Sequence, residues 1–186
     1  ILLAIIKLIE DKMNAEHDVH KVGVQAILLV EDSARFYSSY LPNLYRIIFT
    51  QSKAFMVEGL NAHQQMMRMR GRPKVLLARN YEEAISIYQE YKSEMLGIIT
   101  DISYEQNGVL NKAAGLELCR SIRKDNPFLP FILQSSDSEF QDAAHDLDAA
   151  FIDKNSPSLS KELKEYVVSY FAFGDFIFRD PASQEE

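Results

Sequence analysis

The stretch Leu96-Gly97-Ile98-Ile99-Thr100-Asp101 constrains the fold more than any other in the chain. A run of strand length that is apolar at both alternating positions needs cover on both faces. A parallel strand inside an α/β sheet has that cover, and a solvent-facing strand does not. The carboxylate at the C-terminal end of the run then falls at the sheet edge where open α/β folds bind their ligands.

Four more runs belong with it. Ala26–Val30 is a first buried strand, followed at once by Glu31-Asp32-Ser33, where Ser33 is a good helix N-cap. Lys74–Ala78 is a second, residues 130–134 a fourth ending in Ser135-Ser136, and 149–152 a fifth ending at Asp153-Lys154. Amphipathic stretches separate them at Tyr81–Tyr91, 113–124, 140–147 and 159–171, while 102–112 reads as a polar loop. Strand and helix alternating in this way predict α/β architecture: a five-stranded parallel sheet, doubly wound with helices on both faces.

Two helical segments exceed that plan. From 34 to 70, apolar residues recur by threes and fours at Tyr37, Leu41, Leu44, Ile48, Phe55, Ala62 and Met69. That predicts an extended first helix on the order of 55 Å long, kinked at Pro42. Its far half projects and needs a partner, for which a second copy is the simplest choice, so a homodimer is expected. Residues 1–14 read as an additional N-terminal helix, apolar on more than one face, and 16–23 as a polar connector. The expected organisation is an N-terminal helix and linker over 1–23, a main domain over 24–172, and the start of a following element over 173–186.

Composition excludes several classes. With 47% hydrophobic and 25% charged residues the chain is globular rather than disordered. A net charge of -7 argues against a general nucleic-acid binder. The apolar start is broken by Lys7, Glu10, Asp11 and Lys12 and is too short to span a bilayer, and no signal-peptide cleavage site follows it. The single cysteine, Cys119, permits no intrachain disulfide; it reads as a buried small hydrophobe and a cytoplasmic location is expected. The start at Ile1 and the end in Gln184-Glu185-Glu186 read as a piece of a larger protein. His17 and His20, and the cluster of Arg68, Arg70, Arg72 and Lys74, read as solvated; Met66, Met67 and Met69 read as helix packing or dimer contact.

In a parallel sheet the C-terminal strand ends share one edge, so Glu31, Asp32, Asp101, Ser135 and Lys154 converge there. Three carboxylates repel one another unless a cation sits among them, and Mg²⁺ suits a few carboxylates, waters and a substrate phosphate. A carboxylate beside Mg²⁺ is able to attack a phosphoryl group. Lys154 and Ser135 then offer a cation and a hydroxyl donor to the transferred oxygens.

Across about 24–171 the chain resembles the CheY-like receiver domains of bacterial response regulators in two-component signalling. The matching stretches are Ile27-Leu28-Leu29-Val30-Glu31-Asp32-Ser33, Gly97-Ile98-Ile99-Thr100-Asp101, Ala114-Gly115-Leu116-Glu117-Leu118, Leu129-Pro130-Phe131-Ile132-Leu133-Gln134-Ser135-Ser136 and Phe151-Ile152-Asp153-Lys154. The resemblance implies a signalling domain rather than a classical enzyme, at most phosphorylating and dephosphorylating itself. Asp101 is then the phosphoacceptor, and Glu31, Asp32, Asp101 and the backbone carbonyl of Ser103 hold Mg²⁺. Lys154 binds the phosphate, and Ser135 with Phe151 forms the switch. The partner is a histidine kinase or phosphotransfer protein.

The sequence departs from that pattern in places. Asn155 follows Lys154 where receivers usually have proline, Glu105 stands four after Asp101 where proline is common, and the Asp101-to-Gly115 loop is long. The flanks, residues 24–42 and 173–179, are similar to a receiver module inside large bacterial phosphoenolpyruvate synthase-like proteins. Two rivals accompany this reading. One is a degenerate receiver acting only in protein interaction or dimerisation. The other is a phosphatase-like aspartyl-phosphate hydrolase, disfavoured because Ser103 stands where such enzymes place a second acid.

Overall fold

The computed structural model describes residues 1–54 and 72–171. In chain order these form α1 (Leu2–His20), β1 (Ala26–Val30), α2 (Ala34–Ala54), β2 (Lys74–Ala78), α3 (Tyr81–Tyr91) and β3 (Met95–Asp101). A hairpin of β4 (Tyr104–Gln106) and β5 (Val109–Asn111) follows, then α4 (Ala114–Arg123), β6 (Phe131–Ser135), α5 (Gln141–His145) and β7 (Ala150–Asp153). The last described helix is α6 (Leu159–Glu165), which widens into a π turn over Tyr166–Tyr170.

The main sheet has five strands in the order β2-β1-β3-β6-β7, every neighbouring pair parallel. Side chains of β1 and β3 alternate between two fully buried layers. Ile27, Leu29 and Ile99 meet Leu41, Leu44 and Ile48 of α2 and Leu163 of α6. Leu28, Val30 and Ile98 meet Tyr88 of α3, Leu116 and Cys119 of α4 and Ala144 of α5. The doubly wound architecture expected from the strand–helix alternation is therefore present, and Cys119 is fully buried.

Three expectations are corrected. The stretch 102–112 is not a loop but the β4–β5 hairpin, closed by Asn107 and Gly108 at φ 53° and 76°, the left-handed pair of a two-residue turn. The first helix does not stop at 14: it continues to His20, so 16–20 is helix and not connector, because Ala15 and Val19 extend the buried face begun by Ala4. Nor do Arg72 and Lys74 stand on a solvated face; both are 4% exposed.

That last point shows how α1 is held. The carboxylate of Asp11, fully buried, accepts from Arg72 Nη2 at 2.7 Å and Nη1 at 3.0 Å, from the Tyr45 hydroxyl at 2.8 Å and from the Val75 N–H at 3.0 Å. Lys74 Nζ adds a bridge to Asp18 at 2.6 Å. Val75 belongs to β2, an edge strand, so Asp11 satisfies an edge donor that would otherwise be open. The guanidinium of Arg72 also lies over the rings of Tyr45 and Phe49. On the described part of the long first helix, Tyr40, Leu41, Leu44, Tyr45, Ile47 and Ile48 are all buried in the core. Its expected extension to 70, Met66, Met67, Met69, Arg68, Arg70 and residues 173–179 lie outside the described residues.

Candidate functional site

Strand ends build the site. The last residue of β3 is Asp101; Glu31 and Asp32 follow β1, and Lys154 follows β7. Because the strands are parallel and in register, these residues rise from the same edge, two strand spacings to either side of β3 or closer. Backbone bonds fix the heights: the Glu31 N–H donates to the Ala78 carbonyl at 3.0 Å and the Lys154 N–H to the Ser135 carbonyl at 2.8 Å.

Lys154 Nζ lies 2.6 Å from Glu31 Oε2 and 2.6 Å from Asp101 Oδ2, bridging two strands' carboxylates with one ammonium. The three side chains are 2%, 1% and 14% exposed respectively, so these are charge-assisted bonds shielded from water. The remaining oxygens have partners as well. Glu31 Oε1 accepts from the Ser33 N–H at 3.1 Å, and Asp101 Oδ1 from the Ile102 N–H at 2.7 Å. The amide of Ser103 also faces the Asp101 carboxylate. Phe36, at the start of α2, places its ring 4.3 Å from the ammonium.

Burial dominates the electrostatics. It pushes the Glu31 carboxyl up to about 6 against the pull of Lys154, with the Asp101 charge pushing the same way. Asp101 is also raised by burial, opposed by Lys154 and by the Ile102 and Ser103 amides. One oxygen each from Glu31, Asp32 and Asp101 lies within 4.8 Å of the others, with Asp32 exposed at the rim. That all-oxygen, carboxylate-rich donor set fits a hard divalent cation.

The structure thus brings together Glu31, Asp32, Asp101 and Lys154. Ser135 shares the edge, but its Oγ accepts from the Asp137 N–H at 3.1 Å, turned to its own loop. Phe151 is half-buried and lines a cleft of about 420 Å³ with Gln141, Asp142, His145 and Tyr166. Asn155, at the position where receivers usually have proline, ties two loops at this edge: its Nδ2 donates to the Ser136 carbonyl at 3.1 Å.

Sequence reasoning missed two supports. Phe36 lies within residues 24–42, but nothing in one sequence says that its ring meets Lys154. Gly115 packs against the main chain of Asp101 and Ile102, and a Cβ there would stand 2.9 Å from Ile102 Cα. The Ala-Gly-Leu motif carried that signal without its reason.

No protein-family model matches the chain, and no curated protein matches it. Solved structures do. A response regulator receiver domain protein from Clostridium thermocellum is 16% identical with a TM-score of 0.51, over 81% of this chain and 96% of that one. A CheY-like receiver domain protein from Methanospirillum hungatei is 16% identical with a TM-score of 0.52, over 81% and 95%. A chemotaxis protein of Vibrio cholerae is 15% identical with a TM-score of 0.50, over 77% and 96%. Likeness at these identities is one of fold, and it agrees with the strand order: this chain has the fold of response regulator receiver domains.

Proposed function

We propose that this chain is a phosphoacceptor receiver domain, in which Asp101 takes a phosphoryl group from a phosphohistidine on a histidine kinase or phosphotransfer protein. The observation that carries the reading is the Lys154 ammonium held between Glu31 and Asp101 at 2.6 Å from each, beside Asp32. A structural ion pair needs one acid. Three acids and one lysine at the ligand-binding edge of an α/β sheet match the needs of phosphoryl transfer, which are a nucleophilic oxygen, a cation-binding set and a fixed positive charge.

Glu31, Asp32 and Asp101, with the carbonyl of Ser103, would hold Mg²⁺, which supplies charge neutralisation for the transferred oxygens. In the transfer, an Asp101 carboxylate oxygen forms a bond to phosphorus as the phosphorus–nitrogen bond breaks, and the histidine, protonated at its other ring nitrogen in the phosphorylated donor, leaves as a neutral imidazole. Lys154 releases Asp101 Oδ2, which frees that oxygen, and follows the charge onto the phosphoryl group. Ser135 sits one strand from Asp101, and turning its hydroxyl from the Asp137 amide toward the phosphoryl oxygens is the switch; Phe151 then moves into the space beside α5. The output is the altered surface around β7 and α5.

Acetyl phosphate with Mg²⁺ tests this, read as intact mass. Wild type is expected to gain one phosphoryl group and Asp101→Ala none. A wild type that gains nothing, with amide resonances at Asp101, Ser135 and Lys154 that ignore beryllofluoride, would make the chain an interaction module only. Gain that survives Asp101→Ala would move the acceptor elsewhere.

A further inference from the structure

Helix α1 carries two apolar faces. Ala4, Ala15 and Val19 are turned into the protein together with Asp11. On the opposite side Leu2, Ile5, Ile6, Ile9 and Met13 are 73%, 41%, 49%, 54% and 79% exposed. At about 100° per residue these five fall within roughly a 100° arc. Leu2, Ile6, Ile9 and Met13 within it follow the four–three–four spacing of a helix–helix seam. Ile1 and Leu3, 72% and 65% exposed, widen the stripe at its start.

This face has no way to turn inward. The four hydrogen bonds on the buried Asp11 carboxylate fix the rotation of α1 about its axis. A contiguous apolar stripe of this size held outward marks an interaction surface. No helix among the described residues is long and apolar enough to cross a membrane.

We propose that the occupant is a second copy of this chain, α1 packing on α1 across a two-fold axis. The stripe is straight and uncharged, so it complements itself, as a two-fold interface requires. Area supports the same occupant. A fully exposed aliphatic side chain offers about 100 Å², so the five within the arc offer about 300 Å² of apolar surface per copy at these exposures. With the polar rim that forms roughly 40% of an interface, the pair buries about 1,000 Å² in total, at the lower end for a specific interface and in keeping with a dimer of micromolar strength. On the described part of α2 the large apolar side chains Leu41, Leu44 and Ile48 lie in the core, and the far part to which the sequence pattern directed a dimer contact lies outside the described residues. The inference is independent of phosphorylation at Asp101.

Sedimentation equilibrium of the whole chain from about 1 to about 100 µM tests it. Wild type is expected to form a dimer with a micromolar Kd. The double variant Ile6→Glu, Ile9→Glu is expected to weaken it about a hundredfold, with unchanged far-UV circular dichroism because both side chains are solvent-facing. A control with Val109→Ser and Leu110→Ser at the exposed hairpin tip is expected to dimerise as wild type does. Wild type monomeric throughout the range overturns the proposal, and so does a double variant that still dimerises.

Discussion

Lys154 Nζ stands 2.6 Å from Asp101 Oδ2 while holding Glu31 at the same distance, so one ammonium is shared by two carboxylates largely shielded from water. Removing it leaves like charges facing each other away from water. Breaking a buried pair from one side costs about 3–5 kcal/mol. Lys154→Met is therefore expected to lose that much in urea unfolding near neutral pH, and clearly less at a pH where Glu31 is protonated. Mg²⁺ is expected to restore part of the loss in the variant, since it serves the same oxygens. An equal loss at both pH values would show that packing of the lysine stem, and not charge, is what the variant removes.

Glu31 gives a pH dependence whose sign is fixed by burial. Its folded carboxyl is pushed up to about 6 from an ordinary 4.5, so the fold favours the protonated form. That contribution is complete below the ordinary value and is lost as pH rises through about 6, amounting to about 2 kcal/mol. The stability of wild type minus that of Glu31→Gln should fall by this amount between about pH 4 and about pH 7. The same proton competes with a divalent cation, so Mg²⁺ affinity measured by calorimetry should climb through this range and level off above it. A flat difference curve would place the titration elsewhere.

How much of this was legible depends on whether a feature is local. Asp101, Glu31, Asp32 and Lys154 are each terminal residues of apolar runs, and parallel strands gather such termini by geometry alone; four residues scattered over 123 positions could be placed together. The hairpin was missed: Asn107-Gly108 is a strong turn signal between strands, but the strands have only three residues each and polar neighbours hid them. Asp11 with Arg72 was not legible. An aspartate on an apolar helix and an arginine in a basic run each look solvated alone, and a pairing 61 residues apart leaves no mark in a single sequence.

The Asp11 carboxylate predicts a coupled pair. Asp11→Ala strands the Arg72 guanidinium, 4% exposed, and removes the acceptor of the Val75 N–H. It is expected to cost about 3–5 kcal/mol and to speed hydrogen exchange at Val75 beyond its neighbours on β2. Replacing both charges, Asp11→Leu with Arg72→Met, is expected to cost less than either single change, because no unpaired charge remains. Additive single and double losses would mean that the two side chains stabilise the fold independently.

Two glycines, Gly115 on α4 and Gly97 within β3, separate stability from function. Gly115 lies against the Asp101–Ile102 main chain, which has no room to retreat, so Gly115→Ala pushes the backbone that carries the acceptor carboxylate. Gly97, at the other end of β3, faces the Phe171 ring, which a Cβ would meet at 2.6 Å, about four residues or 13 Å from Asp101. Overpacking at either position is expected to cost about 1–3 kcal/mol. Only Gly115→Ala is expected to slow acetyl-phosphate labelling beyond that, by roughly tenfold to a hundredfold, since displacement of a reacting group by about 1 Å has effects of that order. Labelling rates for both variants, measured well below their unfolding temperatures, decide the matter. If the two slow alike, the loss follows general stability and Gly115 has no particular hold on Asp101.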